Sequence, residues 1–209
     1  MFIQMKLTND DKIWIPDEDN WKSWSARYEQ YTWNKVKLKW LHAWPGRIAV
    51  DVGAHVGIWT QRLSEEYAQV ICFEPLPKHI ECHKENCKEL RNVYLHEVAL
   101  SNHRGSAIMG TMKSNSGRSS LERNSKIKVE VKTDILDNYE FEKLDFMKID
   151  VEGHELKMLE GAVNTLKKHS PDIFIETFPE NKKKTFDFLQ NMGYTNSDTF
   201  KGSNYYFAK

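Results

Sequence analysis

The sequence predicts an α/β fold, with one mostly parallel sheet covered by helices on both faces. Three observations carry that prediction. From residue 47 onward, short apolar runs alternate with stretches of helical periodicity. The first run, Ile48 to Val52, stops abruptly at a glycine-spaced turn, Gly53-Ala54-His55-Val56-Gly57. Two later apolar runs each end in a carboxylate, Glu74 and Asp150. A chain of 209 residues is long enough for one domain with a full core and short for two.

The spacing predicts strands over 47–52, 69–74, 92–96, 145–150 and 172–177, and helices over 57–67, 78–89, 154–169 and 181–192. In the first helix Trp59, Leu63 and Tyr67 recur at helical spacing; in the third, Leu156, Leu159, Val163 and Leu166 form one stripe. Between the third and fourth strands lies an excursion with two β-like runs, 105–112 and 127–133. The polar stretch 113–121 joins them, either as a lid over a neighbouring cleft or as a plain hairpin loop. After Gly193, the runs 194–197 and 204–208 read as a closing hairpin. Residues 1–45 differ in texture and are expected to form a cap ahead of a main domain over 46–209. They hold six of the seven tryptophans: Trp14, Trp21, Trp24, Trp33, Trp40 and Trp44. Trp21, Trp24, Tyr28 and Tyr31 recur at helical spacing and predict one aromatic face.

The first strand and its turn point to a ligand. Strand, glycine turn and helix make the first half of a nucleotide-binding crossover, with the ligand outside the carboxyl end of the strand. Gly53 and Gly57 let the turn adopt backbone angles that a side chain resists, and let a ligand approach the main chain. Glu74, at the tip of the second strand, is placed to accept hydrogen bonds from both hydroxyls of a ribose. The turn lacks the Gly-x-Gly-x-x-Gly spacing that sets a helix amino end against a pyrophosphate. Asp51 stands where a dinucleotide site has its first glycine, and a carboxylate there repels phosphate. A ligand with a ribose and no phosphate fits better, and S-adenosylmethionine is one. The plain alternative is an ordinary buried turn with a solvated Glu74.

A second stretch, Phe146-Met-Lys-Ile-Asp-Val-Glu-Gly-His-Glu155, places Asp150 at a strand end, Glu152 two residues on, and Gly153 at the opening of a helix. Together with Asp-Val-Gly-Ala-His-Val-Gly at 51–57, Phe-Glu-Pro at 73–75, Ala-Leu-Ser-Asn at 99–102 and Leu-Glu-Gly-Ala at 159–162, it resembles the FkbM family of methyltransferases. The resemblance runs from about residue 47 to 177, more loosely to the C-terminus, and does not reach the tryptophan-rich start. It implies the class I, Rossmann-like methyltransferase fold: a seven-stranded, mostly parallel sheet with an antiparallel last strand. It implies S-adenosylmethionine as methyl donor and a hydroxyl as acceptor, often on a sugar or a glycosylated metabolite. By position, Asp51, Gly53 and Gly57 surround the methionine portion, with His55 in the same turn, while Glu74, followed by Pro75, holds the ribose. Val98 and Ala99 border the adenine, and Glu97, one step early, is the nearest acidic side chain for the adenine amino group.

Methyl transfer to an alcohol needs an in-line arrangement and a group to take the hydroxyl proton. Asp150, Glu152, His154 and, after the fifth strand, Glu176 are the candidates. Asp150 is the first choice, as the strand-end group expected nearest the methyl; like charges on Asp150 and Glu152 raise one of the two carboxyls toward useful basicity. His55 is expected to hydrogen-bond locally at the helix start, and Lys148, which points opposite to Asp150's neighbours on the strand, to be structural. A divalent metal held by Asp150, Glu152, His154 and Glu176 is an open but less favoured alternative. Cys82, His83 and Cys87 share one predicted helix, but a fourth zinc ligand is missing, so core or surface roles are expected. The aromatic rim of residues 1–45 serves either as buried area or as a stacking surface, with at least one tryptophan expected at the acceptor pocket.

Formal charge is zero, which argues against a nucleic-acid substrate. Neither a membrane span nor a secretory signal is read from the sequence. Three cysteines, an odd number, suggest reduced thiols and a cytoplasmic setting. The expected partner is a small-molecule or glycan acceptor. Two other readings stay open, a nicotinamide-dependent oxidoreductase and a non-catalytic domain that binds the nucleoside. A DNA adenine methylase is disfavoured because the fourth strand ends in Asp-Val-Glu-Gly rather than the Asn/Asp-Pro-Pro-aromatic clamp on a flipped base.

Overall fold

The computed structural model describes residues 2–6, 12–17, 19, 47–112, 115–200 and 203–209. The aromatic face of Trp21, Trp24, Tyr28 and Tyr31, the remaining tryptophans Trp33, Trp40 and Trp44, and the boundary at residues 45 and 46 lie outside the described residues. Before them stands a hairpin that periodicity did not announce, β1 (Phe2–Lys6) paired antiparallel with β2 (Lys12–Pro16). Ile13 and Ile15 of β2 are buried against Val56, Ile58 and Cys82. Asn86 clamps Trp14 there, its side chain exchanging hydrogen bonds with the Trp14 amide and carbonyl.

From residue 47 the alternation predicted by the sequence is realised almost residue for residue. The elements are β3 (Ile48–Val52), α1 (Ile58–Glu66), β4 (Gln69–Phe73), α2 (Pro77–Asn86), β5 (Val93–His96), β9 (Leu144–Ile149), β10 (Asp172–Glu176), α5 (Pro179–Asn191), β11 (Thr195–Phe200) and β12 (Asn204–Ala208). They build one seven-stranded sheet in the order β5-β4-β3-β9-β10-β12-β11. β5, β4, β3, β9 and β10 run parallel, and β12 runs antiparallel to both β10 and β11. The chain thus winds outward from β3 in one direction and from β9 in the other. The switch point between β3 and β9 is where an open α/β sheet leaves a crevice at its carboxyl edge.

The pleat sends alternate residues of β3 to opposite layers. Val50 and Val52 join Met147 and Ile149 in one core with Met158, Leu159, Leu166 and Leu189. Ala49 faces the other, with Trp59, Leu63, Phe146 and Phe174. The long helix predicted over 154–169 is two helices, α3 (Glu155–Glu160) and α4 (Val163–His169). The break falls at Gly161, whose backbone presses so closely on the Ser101 carbonyl that a Cβ would sit 2.0 Å from its oxygen. The buried positions are therefore Met158, Leu159, Ala162, Thr165 and Leu166, with Leu156 and Val163 only partly covered.

The excursion is a separate three-stranded sheet, β6 (Ala99–Leu100), β8 (Ile127–Asp134) and β7 (Gly105–Thr111) in that order, and β6 was not foreseen. Its Met109 and Val131 pack with Leu76 and Ala99 beside the carboxyl edge of the main sheet. A 3-10 turn, Ser116–Arg118, lies in the connection between β7 and β8.

Candidate functional site

A cavity of about 230 Å³ opens at the carboxyl ends of β3, β4, β9 and β10. Its floor is the turn after β3, where the Gly53 and Ala54 amides both donate to the Phe73 carbonyl. Gly53 has φ +75°, and a Cβ there would stand 1.9 Å from the Asp150 carbonyl oxygen, so this position requires glycine.

One end of the crevice is built around Glu74, which is 4 % exposed. Its Oε1 accepts from the Leu76 amide and from His79 Nδ1, each at 3.0 Å, and its Oε2 accepts from the His55 amide at 2.9 Å. Burial alone raises a carboxyl. Here the neighbouring His79 and these hydrogen bonds outweigh it and hold Glu74 below the ordinary carboxylate value. A carboxylate offers about four lone-pair sites, so about one remains for a ribose hydroxyl. Pro75, Leu76, Ala99 and Met109 continue the wall as an apolar slot.

The opposite end is acidic. Asp150, Glu152 and Glu176 line it and His154 borders the same crevice, so the structure brings together all four sequence-predicted catalytic candidates. Glu152 sits in the left-handed region at φ 54°, followed by Gly153 at φ 103°, a strained corner directly after the strand. Its Oε2 is buried without a hydrogen-bond partner. Burial, then the charges of Asp150 and Glu176, push the Glu152 carboxyl up to about 8. Glu155 is buried behind this corner, accepts the Gly153 amide at 2.7 Å, and is pushed up to about 7, chiefly by burial.

Lys148, expected to be structural and opposite to Asp150's neighbours, also borders the crevice. Residues two apart on a strand share a face, and Lys148 lines the crevice beside Asp150. Its ammonium donates to the Gly53 carbonyl at 2.9 Å and forms ion pairs with Asp51 at 3.4 Å and Asp150 at 3.7 Å. Burial works against the charge, but Asp51 and Asp150 hold the ammonium above its ordinary value. Asp51 in turn is fully buried and absent from the crevice wall; Thr60 Oγ1 donates to its Oδ2 at 2.7 Å. The sequence placed Asp51 against the ligand, whereas it reaches the crevice only through Lys148.

Four further expectations are corrected. Gly57 does not line the crevice; its φ of +91° starts α1, and a Cβ there would meet Cys87 Sγ at 2.8 Å. Glu97 is exposed and paired with Lys84, and Val98 is buried in the main core, so of the three adenine candidates only Ala99 borders the crevice. His154 has both ring nitrogens engaged, Nδ1 with Glu122 at 2.7 Å and Nε2 with Ser101 at 3.0 Å, which leaves none for a substrate. Burial pushes its pKa down despite Glu122, so Nδ1–H donates to that carboxylate and Nε2 accepts from Ser101. With His154 so committed, the four-residue metal sphere does not form, and among the described residues no three His, Cys, Asp or Glu side chains converge into one.

His55 makes a long-range contact, its Nε2 meeting Ser116 Oγ at 3.1 Å. Ser116 also donates its amide and hydroxyl to the buried Asp19 at 2.7 and 2.6 Å. Ser116, Gly117, Ser119 and Leu121 thereby line the crevice from the connection between β7 and β8. Trp59 lines the crevice from α1, a tryptophan outside the N-terminal set. Its helical spacing marked it as core, which it also is, and nothing in its spacing separated the two roles. The three cysteines are buried and free, and His83 is turned to Thr60.

The comparisons agree with this geometry. Residues 51–195, more than half of the chain, match the FkbM methyltransferase domain. Among solved structures, an FkbM methyltransferase from Methylobacillus flagellatus is similar over 77 % of this chain and 43 % of that protein, with 14 % identity and a TM-score of 0.54. The chain therefore spans less than half of that relative's length. An rRNA methylase from Streptococcus thermophilus is similar over 77 % of this chain and 84 % of that one, with 10 % identity and a TM-score of 0.49. No curated protein sequence matches the chain. Among the described residues no helix is long and apolar enough to cross a membrane. With the sheet order, the strand-tip carboxylates and the domain match in agreement, the chain belongs to the FkbM family of methyltransferases.

Proposed function

We propose that the protein is an S-adenosylmethionine-dependent O-methyltransferase whose acceptor is a hydroxyl of a sugar or glycosylated metabolite. One observation carries the assignment of chemistry: a carboxyl pushed up to about 8, with a buried and unpartnered oxygen, at the acidic end of the crevice. A hydroxyl is a poor nucleophile until its proton begins to leave, and a base of pKa near the working pH is the most effective taker.

The residues fit the donor. Glu74 keeps about one lone-pair site for a ribose hydroxyl, the Leu76–Ala99–Met109 slot suits a flat ring, and Asp150, Glu152 and Glu176 favour a cation over a pyrophosphate. The same acidity argues against the nicotinamide alternative. When bound, the donor supplies a methyl group on a positively charged sulfur that departs as a neutral thioether. The Glu152 carboxylate takes the acceptor's proton as the oxygen bonds carbon. Asp150 supplies a fixed negative charge, Glu176 a further acceptor for sugar hydroxyls, and Trp59 an apolar wall against a ring face. The connection carrying Ser116 and Leu121 excludes water, which would otherwise compete for the methyl.

The test is incubation with labelled donor and a panel of free and nucleotide-linked sugars, with products separated by mass. Transfer to a hydroxyl that disappears in Glu152→Gln supports the assignment. Transfer to nitrogen only, or no binding of the donor by calorimetry, overturns it.

A further inference from the structure

We infer that Lys148 is a positioning residue for the transfer: anchored on Asp51 and on the Gly53 carbonyl, its ammonium holds the Asp150 side chain in place facing the donor's positive sulfur. The inference rests on the donor proposed above and adds what places the side chain that meets it.

Asp51 and Lys148 are register partners on the adjacent parallel strands β3 and β9. By the alternation of the strands they share the face of Ala49 and Phe146, on the layer covered by α1. Both are nearly or fully buried, at 0 % and 3 % exposed. A sheet centre has no need of such a pair. Removing two charges from water is costly, and apolar residues of similar volume give equal or greater stability. The neighbouring register pairs, Val50 with Met147 and Val52 with Ile149, follow that simpler solution. Departure from it at one pair, beside a crevice, marks a functional constraint.

The geometry shows what is constrained. An ammonium carries three protons, and Lys148 has three oxygens around it: Gly53 O, Asp51 Oδ1 and Asp150 Oδ2. Two of these are immobile. Gly53 belongs to a turn held by the Phe73 carbonyl, and Asp51 is tied from behind by Thr60. Thr60 gives its only proton to Asp51, so His83 Nε2, at 3.0 Å, donates to Thr60 and completes the brace. The third oxygen belongs to Asp150, whose side chain is 29 % exposed and lines the crevice. The chain His83–Thr60–Asp51–Lys148 therefore transmits a fixed position from the helix layer to a group that faces ligand. It also divides labour between the two strand-end acids. Asp150 has the cation beside it, whereas among the described residues Glu152 has none within salt-bridge distance.

The experiment compares binding of S-adenosylmethionine and S-adenosylhomocysteine, which differ in the sulfonium charge, by calorimetry at pH 6. Lys148→Met alone strands a buried carboxylate, so the informative protein is Asp51→Asn/Lys148→Met. It keeps the acceptor for Thr60, leaves net charge unchanged, and is expected to melt at or above the wild-type temperature. The ratio of the two dissociation constants is expected to fall by about fivefold in favour of the uncharged nucleoside. Asp150→Asn alone should produce the same fall and add nothing to the double variant, whereas Lys148→Arg should retain most of the wild-type preference. A folded double variant with the wild-type ratio overturns the role of Lys148 and leaves the proposed function standing. Wild-type protein that binds neither nucleoside overturns the proposed function, and this inference with it.

Discussion

The two ends of the crevice hold carboxylates in opposite states. Glu74 is saturated: amides and an imidazole fill three of its acceptor sites, and its pKa lies below the ordinary value. Glu152 is deprived: it is desolvated, crowded by Asp150 and Glu176, left with an orphan oxygen, and pushed up to about 8. A carboxylate that grips a neutral hydroxyl must stay ionised and still, which hydrogen bonds secure. One that removes a proton must be able to hold it, which deprivation secures. The same side-chain chemistry thus serves recognition at one strand tip and reaction at the other.

The largest expected effect breaks the reactive end. Glutamine matches the shape of protonated Glu152, so Glu152→Gln should fold and bind donor as the wild type does while kcat falls by about 10²–10⁴-fold. In the wild type, kcat/KM should rise with pH through about 8, because the base must lose its proton to act, and this limb should vanish in the variant. A retained limb would assign the titration to another group.

At the gripping end the effect should be smaller and of a different kind. Glu74→Ala strips the acceptor from the His55 and Leu76 amides and from His79. A hydrogen bond to a charged group contributes about 1.5–3 kcal/mol, so donor affinity should drop by about one to two orders of magnitude. At saturating donor, kcat should stay near the wild-type value. If kcat fell as steeply as affinity, the division between the ends would be lost.

Much of this arrangement is legible in the sequence, and what is not legible shares a cause. Strand tips are local: the end of an apolar run names Glu74, Asp150 and Glu176, and all three reach the crevice. Partner choice across strands is not local. Nothing in the spacing of residues 51 and 148 says that they lie side by side in register, so the sequence reading places Asp51 on the ligand and does not join it to Lys148. His154 was likewise read from its own helix start, while its partners Ser101 and Glu122 come from the excursion sheet and its connection. Gly57 carries the sharpest lesson: its spacing from Gly53 suggested a shared ligand, but it is required by the chain's own α2, near Cys87. Gly57→Ala should therefore cost about 1–2 kcal/mol from its left-handed backbone alone, read by denaturant unfolding. Donor affinity of the folded protein should be unchanged.

The smallest expected effect sharpens the comparison through stability alone. Glu152 and Glu155 hold their protons up to about 8 and about 7 in the folded protein, against 4.5 for an ordinary glutamate. Between these limits the unfolded chain releases protons that the fold retains, so stability should decline as pH rises from about 4.5 to about 8 and then level off. Glu74 contributes with the opposite sign: its depressed value adds stability above 4.5 that is lost as pH falls through its folded value. The buried His83 and His154, both pushed down, also favour the fold as pH rises through 6.5, so the wild-type profile is a sum of opposed slopes. Differences between variants isolate the parts. The stability of Glu152→Gln relative to wild type should climb between pH 5 and 8, because the variant no longer resists deprotonation there. Glu74→Gln should show its deficit above pH 5 and recover as both proteins are acidified. Matching profiles for the two variants would mean that the crevice does not distinguish its ends by charge, and that the contrast between a gripping and a reacting carboxylate lies in geometry alone.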